Sequence, residues 1–433
     1  MDLLLKNVRL VDPDAGVDGR RDVLVRAGRV ARVAELISAG PDADTTVVRG
    51  DGLWLWPGLV DAHVHFREPG FTHKETIRTG SLAAAAGGYT SVVCEPNTEP
   101  PIATVEAVRR LADIARRDAA VRVYCKAAMT RDRAGKEPND VAALAREDAV
   151  VALSDDGDPV VDAALMGEVC RAAAEHDVLL SPHCEDSPRA LKQLAAGVYA
   201  GFSPGAPYAN EAAYVARDLE LAREAGCRIH FSHVSLARSV AAIERYGVDA
   251  PRAEAVTFEV TPHHLLLCAE DYAGAAAPAV NPPLRSARDR QALREAVCAG
   301  RVDAIASDHA PHSVRDKAAG ACGLIGLETV LGLVLTEFVA GGALAPADAV
   351  RLLSLNPCRV FHLPGGTLRA GSFADMVLID PAREWTVKAE EFRSKSRNTP
   401  FEGRRLRGKA VATYVAGREA FCEPDFQERK HRP

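Results

Sequence analysis

Pro57-Gly-Leu-Val-Asp-Ala-His63-Val-His65-Phe-Arg67-Glu-Pro-Gly70 runs from an apolar strand straight into alternating histidines and then a proline-glycine turn. A strand repeats every two residues, so His63 and His65 share one face and Arg67 continues the parity. The same texture recurs down the chain. Apolar runs at 91–96 (SVVCEP), 121–127 (VRVYCKA), 149–154 (AVVALS), 178–183 (VLLSPH), 228–233 (RIHFSH) and 303–309 (DAIASDH) alternate with alanine-rich, helix-forming stretches such as 83–86. Regular β-then-α alternation over roughly 300 residues predicts a (β/α)8 barrel, whose sites form at the C-terminal strand ends.

Outside residues 56–360 the pattern changes. Residues 3–11, 22–27 and 29–34 are short strands broken by turn residues, and 371–380 and 408–417 have the same character. Residues 1–55 plus 361–422 are therefore expected to form one composite domain, a small β-sandwich built from both chain ends. The polar stretch 423–433 is expected to fray.

Composition narrows the function. The chain has 433 residues, 47% hydrophobic, enough for a large core. A net charge of −6 leaves no basic stripe for a phosphate backbone, which argues against nucleic acid as a partner. No run approaches the roughly 18 apolar residues of a membrane span, and the N-terminus lacks a signal-peptide pattern, so a cytoplasmic protein with a small-molecule substrate is expected. Ten scattered cysteines contain no C-x-x-C pair, which argues for reduced, mostly buried thiols and against a structural zinc site.

The chemistry sits at the ends of the apolar runs. His63 and His65 close one, His183 and His233 close two others, Asp308 lies in Ala-Ser-Asp308-His, and Asp155-Asp156 follows the run at 149–154. Taken singly, each has a bland reading as a satisfied core histidine or a turn-capping aspartate. Their recurrence at one end of a barrel favours an open, catalytic zinc site of imidazoles and carboxylates. Water on such a metal ionises near neutral pH and attacks a carbonyl that the metal polarises, with Asp308 as the candidate proton shuttle. No G-x-S-x-G elbow, Walker loop or dinucleotide fingerprint competes.

Taken together, DAHVHFREPG, Glu95-Pro-Asn97-Thr, SDDG, SPHCED, FSHVS, VNPPLR, SDHAPH and SKSRNTPF resemble the class I dihydroorotases of the amidohydrolase superfamily, over almost the whole chain. The resemblance implies that His63, His65, Asp156, His183, His233 and Asp308 bind two zinc ions bridged by Asp156, with Asp308 doubling as general acid/base. It implies that His65, Arg67, Asn97, Asn281, His312 and the backbone at Cys322 and Gly323 hold the substrate. It selects Asp156 over Asp155, which the residues alone leave open. Many superfamily members bridge their metals with a carboxylated lysine; no lysine stands at Asp156, so carbon dioxide should not be required. The segment 313–321 is shorter than is common in the family.

The implied reaction is the reversible cyclisation of N-carbamoyl-L-aspartate to L-dihydroorotate plus water, in pyrimidine synthesis. Two rivals are another cyclic amidohydrolase, acting on a hydantoin or allantoin, and an inactive scaffold subunit for aspartate transcarbamoylase. A homodimer and association with that enzyme are also implied. His73, His176, His230, His263, His264, His309, His362 and His431 keep a structural reading.

Overall fold

The computed structural model describes residues 2–38, 45–185, 187–195, 211–249, 255–273 and 277–431, so Asp186 of the SPHCED stretch and the last two residues of the tail lie outside it. Leu59–Val64, Tyr89–Cys94, Arg122–Ala127 and Val150–Leu153 pair in parallel. Ile229–Phe231, Val256–Val260 and Ala304–Ile305 form a second parallel run. Single parallel bridges, Leu153 to Leu180 and Leu180 to Ile229, join the runs on one side, and Val64 to His309 joins them on the other. The ring is thereby closed as a (β/α)8 barrel.

Two strands differ from the sequence reading. The apolar run at 178–183 pairs only at Leu180, because Pro182 has no N–H to continue a ladder and the chain turns toward His183. The seventh strand, Val256–Val260, lies outside the apolar runs of the sequence, because its sequence, VTFEV, carries a glutamate.

Helix caps and small residues fasten the outer layer. Thr104 and Asp162 accept backbone N–H groups at the starts of Val105–Asp118 and Ala163–Glu175. In the helix Ile77–Ala86, Ala83, Ala84 and Ala85 are fully buried. Gly80 lets this helix approach the site closely, since a Cβ there would stand 2.4 Å from the ring of Phe66, between His65 and Arg67.

The two chain ends meet in one sheet, nine-stranded among the described residues. Its main order is Arg418–Cys422, Arg405–Val415, Met376–Thr386, Trp54–Pro57, Asp2–Asp12, Val17–Arg26 and Arg29–Ala34. Thr45–Arg49 also pairs with Asp2–Asp12. Ala27-Gly28 and Ala416-Gly417, all with positive φ, make the tight two-residue turns that suit the twist of antiparallel strands. Leu5, Val8, Val25, Leu55 and Leu378 pack within the sheet's own core. The tail departs from expectation: Pro424–Arg429 forms a turn of 3-10 helix, Phe426 is buried, and Lys430–His431 pairs with Thr45–Arg49. An apolar anchor in an otherwise polar stretch overrides its tendency to fray.

Candidate active site

The His-x-His strand delivers two imidazoles to the barrel mouth, their ring centroids 5.3 Å apart. His63 Nδ1 lies 3.0 Å from Glu259 Oε1 and 3.3 Å from Glu95 Oε1. A proton on Nδ1 satisfies those carboxylates and leaves the lone pair of Nε2 pointing at Asp156 Oδ1, 3.4 Å away, and Asp308 Oδ1, 3.8 Å away. His65 Nε2 lies 3.2 Å from Asp308 Oδ1, and its Nδ1 is 2.9 Å from Asn97 Oδ1.

Asp156 stands at the centre. Its Oδ1 is 3.4 Å from His183 Nδ1 and 3.5 Å from His233 Nε2, while Oδ2 faces His65 Nε2 at 3.7 Å. His183 and His233 approach each other at 3.0 Å, and Asn281 Nδ2 donates to His183 Nε2 at 3.0 Å. Asp155, its neighbour, faces the other way: its carboxylate accepts the N–H of Met129 at 2.8 Å and of Thr130 at 3.2 Å, plus the Thr130 hydroxyl. His233 and Asp308 both sit at positive φ, +36° and +47°, as does Arg67 at +60°. Such left-handed, non-glycine backbone is costly and concentrates at functional sites.

Two groups of donors could each hold a metal ion: His63, His65 and Asp308, and His63, Asp156 and His233, with the donor atoms of each group within 4.8 Å of one another. The residues fit a cation. His63 Nε2, the nitrogen that faces Asp156 and Asp308, is buried without a hydrogen-bond partner, and buried polar atoms seldom stay unsatisfied without a purpose.

The electrostatics follow from this crowding. Burial raises the Asp156 carboxyl, yet the imidazoles of His63, His183 and His233 outweigh it and hold the group well below the usual carboxylate range. Asp308 is lowered in the same way: burial opposes, and the His65 hydrogen bond with the nearby imidazoles prevails. Burial moves His233 down and pushes His263 to about 4, which keeps both neutral.

Arg67 and His312 flank the cluster. Arg67 Nε donates to Pro311 O at 3.3 Å, and its NH2 group is 3.2 Å from His312 Nε2. That ring nitrogen also lies 2.8 Å from Cys322 O. It cannot serve both, and the carbonyl requires the proton, so Nε2 offers Arg67 no lone pair. The NH2 protons of Arg67 thus find no acceptor in His312. Burial pushes His312 down to about 3, in line with a neutral ring. At Gly323, φ is +134° and a Cβ would meet Ala310 O at 2.6 Å, so only glycine fits there.

Of the residues that stand out in the sequence, His63, His65, Asn97, Asp156, His183, His233, Asn281 and Asp308 are joined by one set of contacts, and Arg67, His312 and Cys322 by a second. A second tier escaped the sequence reading. Glu95, Lys126, Glu259 and His230 are fully buried behind His63, with Lys126 Nζ paired to Glu95 and His230 Nε2 3.1 Å from Glu259 Oε2. A signal was available: Lys126 and Glu259 are charged residues inside β-rich runs. His230 and His264, which hydrogen-bonds Pro282 O at 3.1 Å, keep structural roles.

Comparison with known proteins points the same way. Residues 54–420 match the amidohydrolase family. The chain is 43% identical to a dihydroorotase of Pelotomaculum thermopropionicum, covering 96% of this chain and 98% of the relative. It is 40% identical to a dihydroorotase of Syntrophus aciditrophicus, covering 98% and 100%. Among solved structures it is similar to L-hydantoinase (dihydropyrimidinase) from Arthrobacter aurescens, with TM-score 0.83, 28% identity and coverage of 96% and 95%. A dihydropyrimidinase from Brevibacillus agri, TM-score 0.82 and 23% identity over 97% and 95%, shares the fold.

Proposed function

The chain belongs to the amidohydrolase family, and from that membership we propose that it is a metal-dependent dihydroorotase, interconverting N-carbamoyl-L-aspartate and L-dihydroorotate plus water in pyrimidine synthesis. The observation that carries the reading is Arg67, a buried guanidinium within electrostatic reach of Asp308 and Asp156 of the His/Asp cluster. A ring bearing a free carboxylate needs such a cation beside a hydrolytic centre.

Two divalent cations, zinc by the mix of imidazole and carboxylate donors, would be held by His63, His65 and Asp308 on one side and His183 and His233 on the other, with Asp156 between them. When bound, they would polarise the reacting carbonyl and acidify water. The position of Asp156 Oδ1 among three imidazoles supports its bridging role.

The remaining steps belong to the protein. Arg67 pairs with the substrate carboxylate through donors that Pro311 O does not use. Asn97, Asn281, His65, His312 and the backbone at Cys322 and Gly323 orient the ring polar groups. In ring opening, Asp308 accepts the proton of the attacking water and returns it to the leaving ring nitrogen. In ring closure it takes the ureido proton and delivers it to the departing oxygen.

Turnover of L-dihydroorotate by purified protein, before and after chelation and with zinc restored, tests this reading. Loss and zinc-dependent recovery are expected. Absence of turnover in zinc-loaded protein would overturn it in favour of a hydantoin-like ring, the second reading, which the 28% likeness to L-hydantoinase favours. The filled donor set stands against an inactive scaffold. A homodimer, and association with aspartate transcarbamoylase, belong to the same proposal; mass measurement of the protein alone and mixed with that enzyme tests both. No helix among the described residues is long and apolar enough to cross a membrane.

A further inference from the structure

Lys317 lies in the short helix Val314–Ala318 that follows the eighth strand. Its ammonium donates to three backbone carbonyls, Ala321 O at 2.7 Å, Gly323 O at 2.9 Å and Ala279 O at 3.2 Å. An ammonium has three protons, so this tripod uses them all. Two acceptors belong to the loop that carries Lys317 itself. The third stands on the loop after the seventh strand, two residues before Asn281.

The neighbourhood is built to stay in place. Gly323 N donates to the same Ala279 carbonyl at 2.8 Å. Asn398 Nδ2 donates to Gly323 O at 2.8 Å, and Ser396 Oγ donates to His312 O at 2.8 Å. Ser313 caps the short helix, its side chain accepting from Asp316 N. None of the hydrogen bonds of Lys317 among the described residues reaches His63, His65, Asp156, His183, His233 or Asp308.

We propose that Lys317 is a positioning residue for substrate binding, its ammonium pinning the Asn281 loop to the Cys322–Gly323 loop so that this wall of the pocket is set before substrate arrives. The proposal rests on the dihydroorotase reading, because it takes Asn281 and the backbone at Cys322 and Gly323 as substrate contacts. With its protons occupied by carbonyls, Lys317 acts through those segments and not on the substrate. A wall already ordered adds no ordering cost at binding. Without the ammonium, Gly323 N–H alone would tie Ala279 to the opposite loop, and binding should weaken while the proton chemistry at Asp308 continues.

The test compares wild type with Lys317→Met and Lys317→Arg, measuring KM and kcat for L-dihydroorotate, bound zinc and Tm. Lys317→Met should raise KM about tenfold, the size of one charge-assisted hydrogen bond, with kcat within about twofold. Bound zinc should be unchanged, and Lys317→Arg should recover part of the affinity. An unchanged KM, with or without a lower Tm, would reduce Lys317 to a structural role and overturn the proposal. So would a parallel fall in kcat and zinc content. Failure of the wild-type protein to turn over dihydroorotate would instead remove the functional reading, and this proposal with it, before any variant is compared.

Discussion

Asn97 and Asp156 are joined directly: Asn97 Nδ2 donates to Asp156 Oδ2 at 2.9 Å. The same amide presents its oxygen to His65 Nδ1 at 2.9 Å, so one side chain orients a carboxylate and an imidazole of the cluster together. Partners of this kind fix both the ligand's direction and the tautomer of its ring.

Asn97→Ala should therefore act on metal and turnover together. Zinc retention under chelator competition should fall about 10- to 100-fold, the range seen when such supporting partners are lost. Equal zinc affinity in the variant, with only KM raised, would confine Asn97 to substrate contact.

The adjacent aspartates should separate cleanly. Asp156→Asn is expected to lower the zinc bound per chain, read by elemental analysis after dialysis. Asp155→Ala should keep its zinc and lose stability, by about 1–3 kcal/mol, because the buried backbone N–H groups of Met129 and Thr130 lose their acceptor. Zinc loss in the Asp155 variant alone would reverse the assignment.

Arg67→Met tests the carboxylate anchor. A charge-assisted, bidentate contact is worth about 1.5–3 kcal/mol, so kcat/KM for L-dihydroorotate should drop on the order of 10- to 100-fold. Bound zinc should be unaffected. Activity on an uncharged hydantoin ring, measured in parallel, should be spared if the loss comes from the carboxylate.

Glu328 should leave a mark on stability against pH. It accepts the backbone N–H of Arg393 at 2.7 Å, and burial pushes its carboxyl up to about 7. The folded state then holds this proton more tightly than the unfolded chain, so its contribution is greatest below the unfolded value of about 4.3 and is lost as pH rises toward 7. From about pH 5 to pH 8, Tm of wild type should fall relative to Glu328→Gln. A constant difference across that range would show that Glu328 does not titrate there.

Much of this was legible in the order of residues. The alternation of apolar runs with helix-forming stretches carries the barrel, because β and α periods are local properties that need no partner. The histidines and aspartates at the strand ends were visible for the same reason. Less was visible where a strand is nearly absent, as at Leu180, or where a charge interrupts its apolar pattern, as at Glu259 in Val256–Val260.

The sequence by itself thus determined the kind of fold, the donor types and the reaction class, all written in short motifs. Only the tertiary structure decided how those motifs meet. It turned Asp156 toward His63 and Asp155 toward Met129, set Lys126 and Glu259 behind His63, and tied Lys317 to Ala279 across two loops. Each of those pairings joins strands or loops that barrel closure brings together. Their partners are chosen by burial and hydrogen-bond satisfaction across the closed ring, forces that no local window of sequence contains.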